Sequence, residues 1–310
     1  MQSKTTADVY KKHLRRRLEN NQLRPLEAAD KAKFRIEDFG LATEILSAAY
    51  EKEKKGVFLE RLGQIQINLG NDVLARSLMR DAFQTFGTCH ITNIILSEIA
   101  ATVAIVDDEK KLLYIPMPKC GSSTVKNYFT QAMFGEAYGE LVHFRHPEIY
   151  RVVYPEDLKT RYADYMKFCV VRDPVSRVAS YFLTNVAGGS LRREVSGENT
   201  FLGLRTNPGP LEVSKDFELF RSTFMDFRHH TDAMSSYVRE MLPDMDRVYS
   251  ISELHEVKEL LEDKYSVSIP DQKSMVGSSD KEKTSATQKA FESTQEFYAE
   301  DYKVFGEFLK

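Results

Sequence analysis

Leu112–Phe129 reads LLYIPMPKCGSSTVKNYF, an apolar run that meets Pro-Lys-Cys-Gly-Ser-Ser-Thr and then an amphipathic segment. The run predicts a buried strand, the small residues a tight turn, and the remainder a helix that starts on that turn. First-turn amides of a helix have no intrahelical partner, and the helix dipole adds to their pull on an anion, so such a turn can cradle a phosphate. Lys119 brings a mobile positive charge to its mouth. A closely packed α/β turn without a ligand is the other reading that this stretch leaves open.

A second stretch has the same organisation. Tyr165–Phe182 reads YMKFCVVRDPVSRVASYF. Arg172 lies just beyond the apolar run, Asp173 can cap the next helix, and Pro174 suits its first turn. Arg177 and Ser180 are three apart and can share a helix face. Arginine offers a phosphate a planar fork of donors and keeps its charge. Lys111–Ile115 and Met166–Val171 thus read as buried parallel strands, with helices over Ser123–Met133 and Pro174–Leu183. Arg247–Tyr249 suits a further strand, and Glu253–Tyr265 a helix after it. Strand-then-helix repetition predicts an α/β sandwich that binds ligands at the carboxyl ends of its strands. A Walker-type loop places its lysine after the second glycine, whereas Lys119 precedes Gly121, and a dinucleotide-binding turn needs more glycines than this one.

The whole chain sets broader bounds. Its 310 residues suffice for one large domain or two smaller ones, and 42% hydrophobic with 29% charged residues is ordinary for a soluble protein. A net charge of -3 gives no global case for nucleic-acid binding. Cys89, Cys120 and Cys169 are too widely spaced for a metal motif and suggest no disulfide framework, which favours a reducing, cytoplasmic setting. The first residues lack the apolar core of a secretory signal, and no apolar run reaches the roughly 18 residues of a membrane span. Lys12–Arg17 forms a basic patch that reads as a solvated helix face.

Residues 1–105 read as a helical region and 106–310 as the α/β domain. Leu41–Lys54, Val57–Asn68 and Asp72–Phe86 each suit a helix, punctuated by Gly56 and Gly70. Gly63, Ala75 and Ala82 would let two antiparallel helices approach closely. Over Leu59–Gly87 the pattern resembles one tetratricopeptide-like helix pair, which implies a possible protein partner. An all-helical cap is the preferred alternative.

The pair PKCGSST and RDPVSRVASYF resembles the two nucleotide-binding elements of sulfotransferases that use 3′-phosphoadenosine 5′-phosphosulfate, and most closely their carbohydrate or Golgi-type branch. Weaker resemblance extends over about Lys111–Phe308. The fold it implies is a P-loop-like sulfotransferase core with a parallel sheet and flanking helices, preceded by the helical region. The resemblance assigns Lys119, Cys120, Gly121, Ser122, Ser123 and Thr124 to the 5′-phosphosulfate loop, and Arg172 and Ser180 to the 3′ phosphate. It adds donor contacts near Lys273 or Ser274, and no metal. Lys119 would contact the bridging phosphosulfate oxygen. The acceptor would be a hydroxyl of a carbohydrate or glycosylated small molecule, and the product nucleotide adenosine 3′,5′-bisphosphate.

Proton removal from that hydroxyl needs a base. His143 and His146 follow the first nucleotide-binding helix, and a neutral histidine titrates in the working range. In related sugar sulfotransferases a histidine or glutamate at this place is the base; His143 matches best, then His146, then Glu140. His229 and His230 are adjacent, so their side chains diverge and make a poor metal pair. Arg192, Arg193 and Arg205 lie in the Gly- and Pro-rich stretch Gly188–Pro210, where they can attract an acidic substrate or cover a nucleotide. Gly277–Ala286 reads as a loop, and Phe291–Phe308 as a terminal helix packed through Phe297, Tyr298, Tyr302 and Phe305. Two other functions compete with transfer: a nucleotide-binding scaffold that works through its helices, and a nucleotide-dependent kinase.

Overall fold

The computed structural model describes residues 2–86, 102–143, 149–238, 240–270 and 281–309. They fall into two compact units. The first draws on Met1–Ile95, Val186–Gly209 and Asp216–Arg228, the second on Leu96–Asn185, Pro210–Lys215 and His229–Lys310.

In the first unit, helices α1 (Gln2–Glu19), α2 (Pro25–Arg35), α3 (Phe39–Lys52), α4 (Gly56–Asn68) and α5 (Asp72–Phe86) follow one another. Pro25 opens α2, where a missing N–H costs nothing, and the Asp38 carboxylate caps α3 by accepting the Leu41 amide at 2.8 Å. Apolar side chains of α2, α3 and α4 form a shared core that includes Ala28, Ala32, Ile45, Leu46 and Leu62. Helices α4 and α5 approach closely at Gly63: a Cβ there would lie 2.6 Å from Cγ of Met79. Lys33 is buried, its Nζ 4.8 Å from the centre of the Phe34 ring. The Glu194 carboxylate accepts the amides of Met225 at 2.7 Å and Asp226 at 3.1 Å.

Seven strands are present among the described residues: β1 (Thr102–Asp107), β2 (Leu112–Ile115), β3 (Tyr150–Val153), β4 (Met166–Val171), β5 (Thr200–Phe201), β6 (Leu204–Arg205) and β7 (Arg247–Ser250). β5 and β6 form a small antiparallel ladder in the first unit; the other five make the sheet of the second, in the order β3-β1-β2-β4-β7. β2, β4 and β7 are parallel, with Tyr114 opposite Phe168 and Cys169 opposite Val248.

The expected parallel strands are present, but antiparallel strands extend them, so the sheet is mixed. β1 runs antiparallel to both β2 and β3. A turn joins β1 to β2, and the Asp107 carboxylate accepts the amides of Glu109 and Lys110 at 2.8 and 2.9 Å. So short a connection closes only an antiparallel pair. The β-branched run TVAIVD was the available signal for β1.

Alternate strand residues face opposite ways. Leu113, Ile115, Cys169 and Val171 join one buried cluster, while Leu112, Tyr114, Phe168 and Val170 join another. The second cluster is covered by Val125 and Phe129 of α6 (Ser122–Phe134) and by Val257 and Leu261 of α8 (Leu254–Tyr265). Between them in sequence lies α7 (Pro174–Tyr181). A sheet buried on both faces explains why its strands read as continuous apolar runs.

Two expectations near the carboxyl end need correction. Residues 277–280 lie outside the described residues, but Lys281–Ala290, read as loop as far as Ala286, is the helix α9. The stretch Phe291–Phe308 is no single helix: a 3-10 turn (Glu292–Thr294) precedes α10 (Ala299–Phe305), and a second 3-10 turn (Gly306–Phe308) follows. Phe291, Tyr298 and Phe305 are its buried rings, seven residues apart, which is the spacing a broken helix still preserves on one face. Among the described residues no helix is long and apolar enough to cross a membrane.

Candidate active site

The first motif lies between β2 and α6. Its chain reverses through two left-handed residues, Lys119 at φ +62° and Gly121 at φ +74°. Glycine adopts that conformation freely, and a Cβ on Gly121 would also press to 3.0 Å on Cδ1 of Leu254. Lysine adopts it at a cost, and such strain collects where a side chain must be aimed. Gly121 stands at the N-cap of α6 and supplies no side-chain cap to that helix. Ser122 is buried, while Ser123 and Thr124 are half-buried on the first turn.

Cys120 plays a different part. Its side chain is fully buried, its Sγ lies 3.5 Å from Sδ of Met234, and burial pushes its thiol up to about 11. It fills the floor of the turn and offers no thiolate.

The second motif lies between β4 and α7, parallel to the first because β2 and β4 are paired. The Asp173 carboxylate caps α7 by accepting the Ser176 amide at 2.7 Å, and Pro174 opens the helix, as the sequence implies. Arg172 reaches back across the sheet end: its Nη1 donates to the Lys119 carbonyl at 3.4 Å. Parallel pairing of the two strands therefore brings both motifs to one place. Burial lowers the Arg172 pKa from its ordinary value, the mark of a desolvated cation that an adjacent anion would stabilise.

Arg177 is withdrawn from the half-buried side on which Ser180 stands. It is fully buried, its Nη2 donates to the carbonyls of His230 (3.1 Å) and Asp232, and among the described residues its Nε and Nη1 have no partner. It pins α7 to the segment after His229. Ser180 is half-buried one turn farther along.

Lys119 is held by residues that the sequence reading did not single out. Its Nζ lies 2.7 Å from Oγ1 of Thr184 and 3.2 Å from Oδ1 of Asn185. Both stand on a π-helical turn (Phe182–Val186) that continues α7. The wider turn shifts the positions that follow it, a device common at functional sites. Two polar residues in the otherwise apolar run YFLTNV were the signal.

Asn127 was also missed. It is buried, with its Oδ1 accepting the amides of Tyr138 (2.8 Å) and Gly139 (2.9 Å) and its Nδ2 donating to the carbonyls of Ser123 (2.8 Å) and Gly139 (3.0 Å). It ties the first turn of α6 to the 3-10 turn Gly139–His143. His143 closes that turn; its side chain, the side chain of Glu140, and all of His146, Lys273 and Ser274 lie outside the described residues.

His229 and His230 sit on a short helix (Met225–Thr231), their rings edge to face with centroids 4.9 Å apart. The His230 ring stacks on Tyr181 at 4.6 Å. Among the described residues no cluster of histidine, cysteine or carboxylate side chains suits a metal ion.

Two cations, hydroxyls and an uncapped helix start thus converge at the ends of neighbouring parallel strands. Such an arrangement has the chemistry to hold an anion with phosphate-like groups and to offset negative charge on an oxygen. A model of the sulfotransferase family matches residues 103–308. No curated protein and no solved structure matches the chain.

Proposed function

Because the chain belongs to the sulfotransferase family, whose general chemistry is sulfuryl transfer, we propose that it moves the sulfuryl group of 3′-phosphoadenosine 5′-phosphosulfate to a hydroxyl of a carbohydrate or glycosylated small molecule. The observation that carries this reading is the contact of Arg172 with the Lys119 carbonyl, which gathers the cations of both motifs at one end of the sheet.

The residues present suit that donor. An uncapped α6, the hydroxyls of Ser122, Ser123 and Thr124, and close backbone approach at Gly121 would hold the 5′ phosphate. Arg172 and Ser180 would hold the 3′ phosphate, and Lys273 and Ser274 belong to the same proposal. When bound, the donor supplies the sulfuryl group and a nucleotide leaving group. Lys119 would neutralise charge on the departing oxygen, a contribution realised in the transition state. His143 would take the proton of the acceptor hydroxyl, with His146 and then Glu140 as the alternatives; the tie of Asn127 to Gly139 supports a fixed place for that segment.

The golgi-type kinship, a cytoplasmic site of action and a division near residue 105 are parts of the same proposal. So is the reading of α4–α5 as a tetratricopeptide-like pair, which the close approach at Gly63 supports and which would give the helices a protein partner.

Incubation with isotope-labelled donor and host extract, followed by mass spectrometry, tests the reading. A sulfated hydroxyl product supports it, and its His143→Ala variant should lose single-turnover transfer while still binding adenosine 3′,5′-bisphosphate. Tight binding of ATP with no competition from the bisphosphate would replace it by the kinase reading.

A further inference from the structure

We propose that Tyr302 is a positioning residue for Arg172: its hydroxyl engages the Asp173 carboxylate and so keeps the neighbouring guanidinium open to a phosphate. Arg172 and Asp173 are consecutive and opposite in charge. A carboxylate so near is the natural competitor of a phosphate for the guanidinium fork. The two do not pair. Oδ1 of Asp173 accepts the Ser176 amide at 2.7 Å, and Oδ2 accepts the Tyr302 hydroxyl at 2.9 Å. Among the described residues no carboxylate pairs with Arg172, whose guanidinium donates to the Lys119 carbonyl at 3.4 Å, the long end of a hydrogen bond. Burial outweighs the charge of Asp173 in its effect on Arg172, the balance expected of groups that are close but not joined.

Tyr302 works from a fixed platform. It is half-buried on α10, beside Asp301. The Asp301 carboxylate is fully buried and accepts the amides of Met234 at 2.8 Å and Ser235 at 2.7 Å. Met234 in turn touches Cys120 in the floor of the first motif, its Sδ 3.5 Å from Sγ. Phe305, one turn beyond Asp301, is buried in the same apolar cluster as Cys120, Val171 and Met234. Consecutive residues of α10 therefore reach both motifs, Tyr302 the second directly and Asp301 the first through Met234. From α9, the Gln288 carboxamide donates to the Ser176 hydroxyl at 2.9 Å and steadies the first turn of α7. With that turn fixed, the second oxygen of Asp173 is the one atom that a lost phenol hydroxyl would release.

A bond that only braced the fold would act whatever the charge at position 173. A positioning bond acts only while a carboxylate stands there to capture Arg172. That the phosphate held by Arg172 belongs to a sulfuryl donor rests on the proposed function; the separation of Asp173 from Arg172 does not.

Titration calorimetry of the full chain with adenosine 3′,5′-bisphosphate and adenosine 5′-monophosphate tests the proposal in wild type, Tyr302→Phe, Asp173→Asn and the double variant. Tyr302→Phe keeps the ring and its packing; it should weaken the bisphosphate about fivefold and leave the monophosphate unchanged. Asp173→Asn retains a capping side chain and should bind the bisphosphate at least as tightly as wild type. The double variant should match Asp173→Asn, because no carboxylate remains to take the guanidinium. Undiminished bisphosphate affinity in Tyr302→Phe, or the same loss when that change is added to Asp173→Asn, overturns the proposal. Modification of Arg172 by phenylglyoxal, followed by peptide mapping, reads the pairing without nucleotide: Tyr302→Phe should slow it about fivefold and Asp173→Asn should restore it. Equal rates in wild type and Tyr302→Phe also overturn the proposal. Failure of wild type to bind the bisphosphate defeats the donor assignment, and the phenylglyoxal rates then decide this inference alone.

Discussion

Nζ of Lys119 lies 2.7 Å from the Thr184 hydroxyl, so the cation of the first motif rests on the turn that ends the second. On the proposed reading, nucleotide binding draws the ammonium away from this partner. Thr184→Val therefore should raise affinity for adenosine 3′,5′-bisphosphate about fivefold, the worth of roughly 1 kcal/mol for one hydrogen bond. Lys119→Ala should slow transfer on the order of 10²-fold with a smaller change in nucleotide affinity. Calorimetry and single-turnover kinetics check both, and weaker nucleotide binding in Thr184→Val would contradict the competition.

Arg172 is assigned to one phosphate in particular. Arg172→Ala should weaken adenosine 3′,5′-bisphosphate at least tenfold and leave adenosine 5′-monophosphate nearly unaffected, because only the first carries the 3′ phosphate. Equal losses for both nucleotides would place the guanidinium elsewhere.

The carboxamide of Asn127 satisfies two amides and two carbonyls in a buried place. Its replacement by alanine strands those groups, so Asn127→Ala should cost about 2–3 kcal/mol in chemical denaturation. Hydrogen exchange should quicken at the amides of Tyr138 and Gly139 before it does elsewhere in α6. Uniform exchange would mean that the tie is unimportant.

Burial raises Glu194 to about 7 and lowers Lys33 to about 8, both toward neutrality. For Glu194, whose folded pKa lies above its ordinary value of 4.5, the stability contribution is complete below about pH 4.5 and is lost as pH rises through 7. For Lys33, lowered from 10.5, it is complete above that pH and is lost as pH falls through 8. Denaturation of Glu194→Gln and wild type across pH 4.5–7 should show wild type losing stability relative to the variant as pH rises. A constant difference across that range would place the carboxyl in a wetter setting.

Much of the second unit was legible because its signals are local. Apolar runs marked β2 and β4, and Asp173-Pro174 marked the start of α7 within a residue. The antiparallel direction of β1 was not legible, because partner choice depends on turns and distant strands that no short window contains. At the candidate site, the motifs pointed to Lys119 and Arg172, which the structure brings together. Thr184, Asn185 and Asn127 look like ordinary helix residues until their partners are known. Arg177, by residue type a candidate for the phosphate, is withdrawn into the core by two carbonyls more than fifty positions away.

Sequence alone determined two strand–turn–helix units, each with a cation in its turn, since backbone periodicity, capping and turn residues act over a few positions. Tertiary structure decided which cations lie together and which are pinned. It also decided that residues 186–209 and 216–228 join the amino-terminal helices in one compact unit. Those outcomes arise from strand pairing and burial between distant segments, whose free energy is not written in any one stretch of chain.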